Sequence, residues 1–163
     1  HEAYSFSKFF GEEMAERYSI AFELDVISLR YCWVWGGVRN QDQWGKILQY
    51  GSSGGGKDSL GAWIAIDDVA QAARLACDYE FAGPPPHFEC FYLTARDNFT
   101  DLPSLDLINR LWPDDPPPVR KLSLYQANPG ASLYDLSKAE RLLKYHPSIT
   151  ADDLRSKFQI VRK

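Results

Sequence analysis

What most constrains this chain is a helical apolar pattern that runs straight into a short strand. Phe6, Phe10 and Met14 recur four residues apart, Phe9 widens the stripe, and Glu12, Glu13, Glu16 and Arg17 fill the other side, which predicts an amphipathic helix. Behind it, Leu24-Asp25-Val26-Ile27-Ser28-Leu29-Arg30 is short, apolar and β-branched, and reads as a strand. A helix followed by such a strand is half of a βαβ unit, so the expected fold is α/β with a mainly parallel sheet. Ligands in such sheets bind beyond the carboxyl ends of the strands. Here that edge is Tyr31-Cys32-Trp33-Val34-Trp35-Gly36-Gly37, aromatic and then flexible, and it reads as a pocket wall.

The same helix carries the candidate chemistry. Tyr4 and Lys8 are four residues apart, one turn along a single helical face. An ammonium beside a phenol favours the phenolate, which makes the two a proton-transfer pair. Tyr134-Asp135-Leu136-Ser137-Lys138 repeats the spacing. There, Ser137-Lys138-Ala139-Glu140 reads as a capping box with Ser137 at the N-cap. Tyr134 then precedes the helix and cannot share a face with Lys138.

Further along, Gln43 to Tyr50 reads as a short helix. Gly51-Ser52-Ser53-Gly54-Gly55-Gly56-Lys57-Asp58 nearly spells a phosphate-binding loop. Asp58, however, stands where a magnesium-binding hydroxyl belongs, and its charge repels phosphate, so a surface loop is expected. Ala62 to Ile66 reads as a strand, with Asp67 or Asp68 capping a helix to Tyr79 whose apolar side is Val69, Ala72, Ala73 and Ala76. Gly83-Pro84-Pro85-Pro86 is loop, Phe88 to Thr94 strand, Leu105 to Trp112 helix, and Val119 to Leu122 a short strand. Ser137 to Tyr145 and Ala151 to Val161 are the last predicted helices.

Composition narrows the function. A formal net charge of −4 without a basic cluster argues against a nucleic-acid groove or an anionic membrane surface. No apolar run approaches the ~20 residues of a membrane span. Cys32, Cys77 and Cys90 are an odd number without metal-type spacing, and His1, His87 and His146 are scattered singly. No disulfide framework or metal site is therefore expected, and the default is a reduced, cytoplasmic protein.

These segments, in this order, resemble the C-terminal half of an extended short-chain dehydrogenase/reductase of the NAD-dependent epimerase/dehydratase type. Tyr4-Ser5-Phe6-Ser7-Lys8 is similar to the family's YxxSK helix, and Leu29-Arg30 with Val34-Trp35-Gly36 to its LRxxNVYG strand end. Ile64-Ala65-Ile66-Asp67-Asp68-Val69-Ala70 looks like its V-x-V-x-D-V-A segment. Ser132-Leu133-Tyr134-Asp135 with Ser137-Lys138-Ala139-Glu140-Arg141-Leu142-Leu143 looks like its late S-L-x-D-x-S-K-A-x-R-L-L element. The resemblance implies the C-terminal portion of a Rossmann-like parallel sheet plus a small mixed α/β substrate-binding region. It implies NAD or NADP as cofactor, Tyr4 as acid/base, and Lys8 as its partner and ribose ligand. Tyr31 and Cys32 would lie near the nicotinamide, with Trp33 and Arg120 on the substrate side. Partners would be a small-molecule substrate and a second copy, through a first helix bearing Phe6, Phe9, Phe10 and Gly11. Trp33 departs from the family: nucleotide-sugar epimerases have an Asn there, and an indole offers one donor in place of an amide. A smaller or more apolar substrate is expected.

Residues 1–40 would close the dinucleotide-binding domain, and 41–163 would be mainly substrate-binding, with interleaved sheet elements. The family's glycine-rich loop and catalytic Ser or Thr lie upstream of its tyrosine and do not occur here. With His1 in place of a Met and a helix already under way, the chain reads as the later part of something longer. The competing expectation is a non-catalytic binding or regulatory module that keeps the fold.

Overall fold

The computed structural model describes residues 2–36 and 59–158. The predicted helix at 43–50 and the glycine-rich loop at 51–58 lie outside them. The described chain is mixed α/β. Helix α1 (Glu2–Phe22) is followed by strands β1 (Asp25–Tyr31), β2 (Trp33–Trp35) and β3 (Trp63–Ala65), helix α2 (Ile66–Cys77) and strand β4 (His87–Leu93). Helices α3 (Ser104–Leu111), α4 (Leu122–Ala127) and α5 (Ala151–Phe158) come after, with a π-helical turn at Ala139–Leu143 before the last.

Both strand pairings are parallel, as the helix-then-strand order requires. β1 pairs with β4 from Asp25↔His87 to Tyr31↔Leu93, and Cys32 N–H extends the ladder to the Leu93 carbonyl at 3.3 Å. β2 pairs with β3 from Trp33↔Trp63 to Trp35↔Ala65.

Helix α1 ends in a Schellman arrangement. Glu23 is left-handed (φ 51) and Leu24 N–H reaches back to the Ser19 carbonyl at 2.9 Å, so the chain reverses at once into β1. The face that rests on the sheet is polar. Ser19 is fully buried, and its hydroxyl is shared between the carbonyls of Leu24 (2.7 Å) and His87 (2.9 Å). Glu12 is half-buried against β1. The predicted apolar row of Phe6, Phe9, Phe10 and Met14 is 57–58% exposed. Periodicity found the helix, but an ion pair with the neighbouring strand decides which side faces in.

The core has two parts. One is aromatic, with Trp35, Trp63 and Phe99 packed on Ala151 and Leu154; the other gathers Ile64, Phe91, Leu93, Leu136, Leu143 and Tyr145. Burying side chains of this size is the dominant favourable contribution to folding.

Three local expectations need correction. Helix α2 starts at Ile66, with Ala65 at the N-cap and no side-chain cap. Asp67 and Asp68 fall in its first turn. Asp68 is buried and its carboxylate accepts from Ser148 N–H (2.9 Å) and Oγ (2.8 Å), so a distant loop claims the oxygens a cap would have used. Ala73 is exposed, and the inward side of α2 runs instead through Asp68, Val69, Ala72, Leu75 and Ala76. Val119 to Leu122 forms no strand. Leu122 opens α4, whose end is closed by Asn128 N–H on the Leu124 carbonyl at 2.8 Å; a short β-like run without a partner strand satisfies its backbone helically.

Candidate functional site

The position of α1 along the sheet follows from two anchors. Ser19 holds it at the amino ends of β1 and β4 through Leu24 and His87. Glu12 holds it further along β1, with Oε2 accepting from Ser28 Oγ (2.7 Å) and Arg30 Nε (2.8 Å). Oε1 closes a bidentate ion pair with Arg30 Nη2. The helix therefore runs antiparallel to β1. At about 1.5 Å per residue, Lys8 lies about 6 Å and Tyr4 about 12 Å beyond Glu12. Cys32 lies about 7 Å beyond Arg30 at the strand's ~3.3 Å per residue. Tyr4 and Lys8 thus belong to the row of α1 that continues Glu12, at and past the carboxyl end of β1.

Lys8 Nζ lies 5.2 Å from the centroid of the Tyr4 ring. This is a cation–π contact with the ring face, not a hydrogen bond to the hydroxyl. Tyr4 is 69% exposed, and Ser7 Oγ donates to the Tyr4 carbonyl at 2.7 Å.

Electrostatics around the anchor are strong. The Arg30 guanidinium, hydrogen-bonded to Glu12, is the main reason that the carboxyl is held down at about 2, and Glu12 in turn pushes the Arg30 pKa up. Arg30 also lies 4.9 Å over the Tyr92 ring, and Tyr92 meets Tyr134 at 5.9 Å between centroids. Burial raises the pKa of Tyr31 and pushes the Cys32 thiol up to about 11. Cys32 is therefore a neutral thiol at ordinary pH and a poor nucleophile. Trp33 packs edge-on against Trp35 (5.4 Å) and Phe99 (5.7 Å), and the residue is 43% exposed.

The second tyrosine-lysine spacing resolves differently. Lys138 turns away from Tyr134 to pair with Glu89, donate to the Cys90 carbonyl at 2.9 Å and sit over Phe91 at 5.1 Å. Tyr134 precedes the helical turn, as the sequence predicts. Ser137 is not its N-cap, because its N–H (2.9 Å) and hydroxyl both bond Asp135 Oδ1.

Sequence reasoning missed an open cavity of about 1020 Å³ beyond the carboxyl end of β4, with walls from 117–121, 123–125 and 131–137. Arg120 lines it, as does Arg96; Tyr4, Lys8, Tyr31, Cys32 and Trp33 do not. The sequence signal was present in 132–138, whose late family-like element forms one wall, but only folding brings 117–125 opposite. Among the described residues no three His, Cys, Asp or Glu side chains cluster as a metal site, and no helix is long and apolar enough to cross a membrane.

Comparison with protein-family models, with curated proteins and with solved structures returned no match.

Proposed function

We propose that this chain is the catalytic-helix and substrate-binding portion of an NAD(P)-dependent reductase, epimerase or dehydratase with a Rossmann-like sheet. Tyr4 would move a proton to or from a substrate oxygen, and NAD or NADP, when bound, would supply the hydride chemistry. What supports the reading is one observation: the row that carries Tyr4 and Lys8 is clamped by Glu12 to Ser28 and Arg30 of β1. That carries both side chains to the carboxyl edge of a parallel strand pair, where ligands of α/β sheets bind. Lys8, in cation–π contact with the Tyr4 ring, is its cationic neighbour on the same helix row. NAD or NADP would supply the redox step, with Lys8 and the Tyr31–Cys32 strand end on its nicotinamide side, and the residues named here the orientation and the proton.

The test compares Tyr4→Phe with Tyr134→Phe in the protein as it is made in the cell, following NAD(P)H oxidation or reduction against a panel of small carbonyl and hydroxyl compounds. Loss of the acid/base costs about a hundred- to ten-thousand-fold in turnover, and Tyr134→Phe changes it little. Equal losses from the two rule the proposal out.

A second reading, a binding module without turnover, draws on the cavity, which is lined without Tyr4 or Lys8. Ligand binding in the cavity together with unchanged behaviour of Tyr4→Phe in every assay would favour it.

A further inference from the structure

The cavity has a chemical bias that its shape alone does not set. Its cationic lining is Arg96, Arg120 and Lys121, and its carboxylates are Asp135 and Glu140. Lys121 is already committed, with Nζ 3.0 Å from both Asp135 Oδ2 and Ser137 Oγ. Asp135 is held down at about 2 chiefly by its hydrogen bonds from Ser137 and then from Lys121, so these two charges cancel. Arg96 and Arg120 remain. Both are exposed, and neither guanidinium hydrogen-bonds or ion-pairs with a described residue. Among the described residues, Glu140 is the lining carboxylate left to oppose them.

Position reinforces the bias. Arg96 follows the end of β4 by three residues and Thr94 by two. Tyr145 is fully buried, and its hydroxyl donates to the Thr94 carbonyl at 3.1 Å. The Arg96 backbone is fixed as well, its carbonyl accepting from Ser132 N–H at 2.8 Å. The apolar part of the lining is Ile108, Leu124, Pro117, Pro118 and a 42% exposed Trp112, and Ser123, Asn128, Ser132 and His146 line the cavity beside it. A pocket of several hundred cubic ångströms with apolar walls and a few convergent polar groups is the ordinary form of a small-molecule site. A planar guanidinium matches a carboxylate with two parallel hydrogen bonds.

We infer that this cavity binds a small organic acid, with its carboxylate on Arg96 and Arg120 and an apolar, ring-bearing body against Trp112 and the Leu124 wall. In a chain of net charge −4, two uncommitted guanidiniums at one cavity select anions against the background field. The apolar part of the wall, Ile108, Leu124, Pro117, Pro118 and Trp112, favours a ligand whose body is apolar. Binding here does not depend on whether Tyr4 and Lys8 turn a substrate over.

Isothermal titration calorimetry on the whole protein tests this with 4-phenylbutyrate, its amide 4-phenylbutyramide, and inorganic phosphate. The acid saturates one site and binds about ten-fold or more tightly than the amide, the difference one charge-assisted pair makes. Phosphate binds more weakly than the acid. In the double variant Arg96→Gln, Arg120→Gln the acid and amide converge, while the circular dichroism melt stays in place because both side chains are exposed. Equal affinity for acid and amide in the unaltered protein overturns the inference without recourse to any variant. So does phosphate binding as tightly as the acid, or an acid–amide gap that survives the double substitution. A calorimetric failure leaves the Tyr4 comparison untouched, since that experiment reads turnover.

Discussion

Removing the Glu12 carboxylate should weaken the fold in a way that depends on pH. In Glu12→Gln the side chain keeps its length and can still accept one hydrogen bond, but it loses the charge that pairs with Arg30. The drop of the carboxyl from its ordinary 4.5 to about 2 corresponds to about 3 kcal/mol at most. The Arg30 side chain is 36% exposed and Glu12 23%, so solvent screening brings the expected loss to about 1–2 kcal/mol at pH 7. The sign follows from the direction of the shift. The folded form holds the ionised carboxylate more tightly than the unfolded chain does, so the stabilisation is complete above about 4.5 and disappears as the pH falls towards 2. Urea melts of both proteins at pH 7, 5, 4 and 3 measure it. Asp135 and Asp153 are also held down by their hydrogen bonds, but both proteins share them and they cancel in the difference. The gap between the two proteins should be constant from pH 7 to 5 and then shrink. A gap that stays constant to pH 3, or one below about 0.3 kcal/mol at pH 7, would refute the clamp as an electrostatic device.

Asp68→Ala should destabilise by about 2–4 kcal/mol in a thermal or urea melt, because it strands the Ser148 and Ile149 donors that now meet a buried carboxylate. Gly61→Ala should cost about 1–3 kcal/mol: the residue has φ +68, and a Cβ would meet Asn98 Cβ at 3.0 Å. Arg155→Leu should cost about 3–5 kcal/mol, since the buried guanidinium pairs with Asp101 (3.3 Å) and donates to the Phe99 carbonyl (2.7 Å), leaving a buried charge unpaired. Asp97 behaves oppositely to Glu12: burial, more than any other influence, pushes its carboxyl up to about 6. The folded state therefore keeps its proton longer, and stability falls as pH rises from about 4 to 6. Asp97→Asn should flatten that limb of the stability curve, and a limb that persists in the variant would remove Asp97 as its source.

The order of elements was legible in the sequence because each rests on local periodicity. The helix–strand sequence at 2–31, the strand at 87–93 and the helices at 104–111 and 151–158 stand within a few residues of where spacing put them. What was not legible depends on residues far apart in the chain. Nothing within α1 says that Glu12 faces inward while Phe10 stays out; that follows from Arg30, which arrives 18 positions later. Asp68 looks like a cap until Ser148, 80 positions away, takes its oxygens. The cavity exists only where 117–125 folds against 131–137, so of Arg96 and Arg120 only Arg120 could be suspected beforehand, and only through resemblance.

The two Tyr-x-x-x-Lys spacings show why a motif becomes chemistry only through its surroundings. By spacing alone, Tyr4 with Lys8 and Tyr134 with Lys138 are equivalent. Lys138 is consumed by Glu89 and the Cys90 carbonyl, and burial raises the Tyr134 pKa, with Cys32 and Tyr92 adding to it, so its phenol is kept neutral. Tyr134 is left as a wall of the cavity, its ring tilted against Tyr92. Lys8 lies against the Tyr4 ring, on a helix face that an ion pair fixes against β1. The same clamp relates the two candidate sites. Glu12 holds Arg30, Arg30 lies over Tyr92, and Tyr92 meets Tyr134 at the cavity wall.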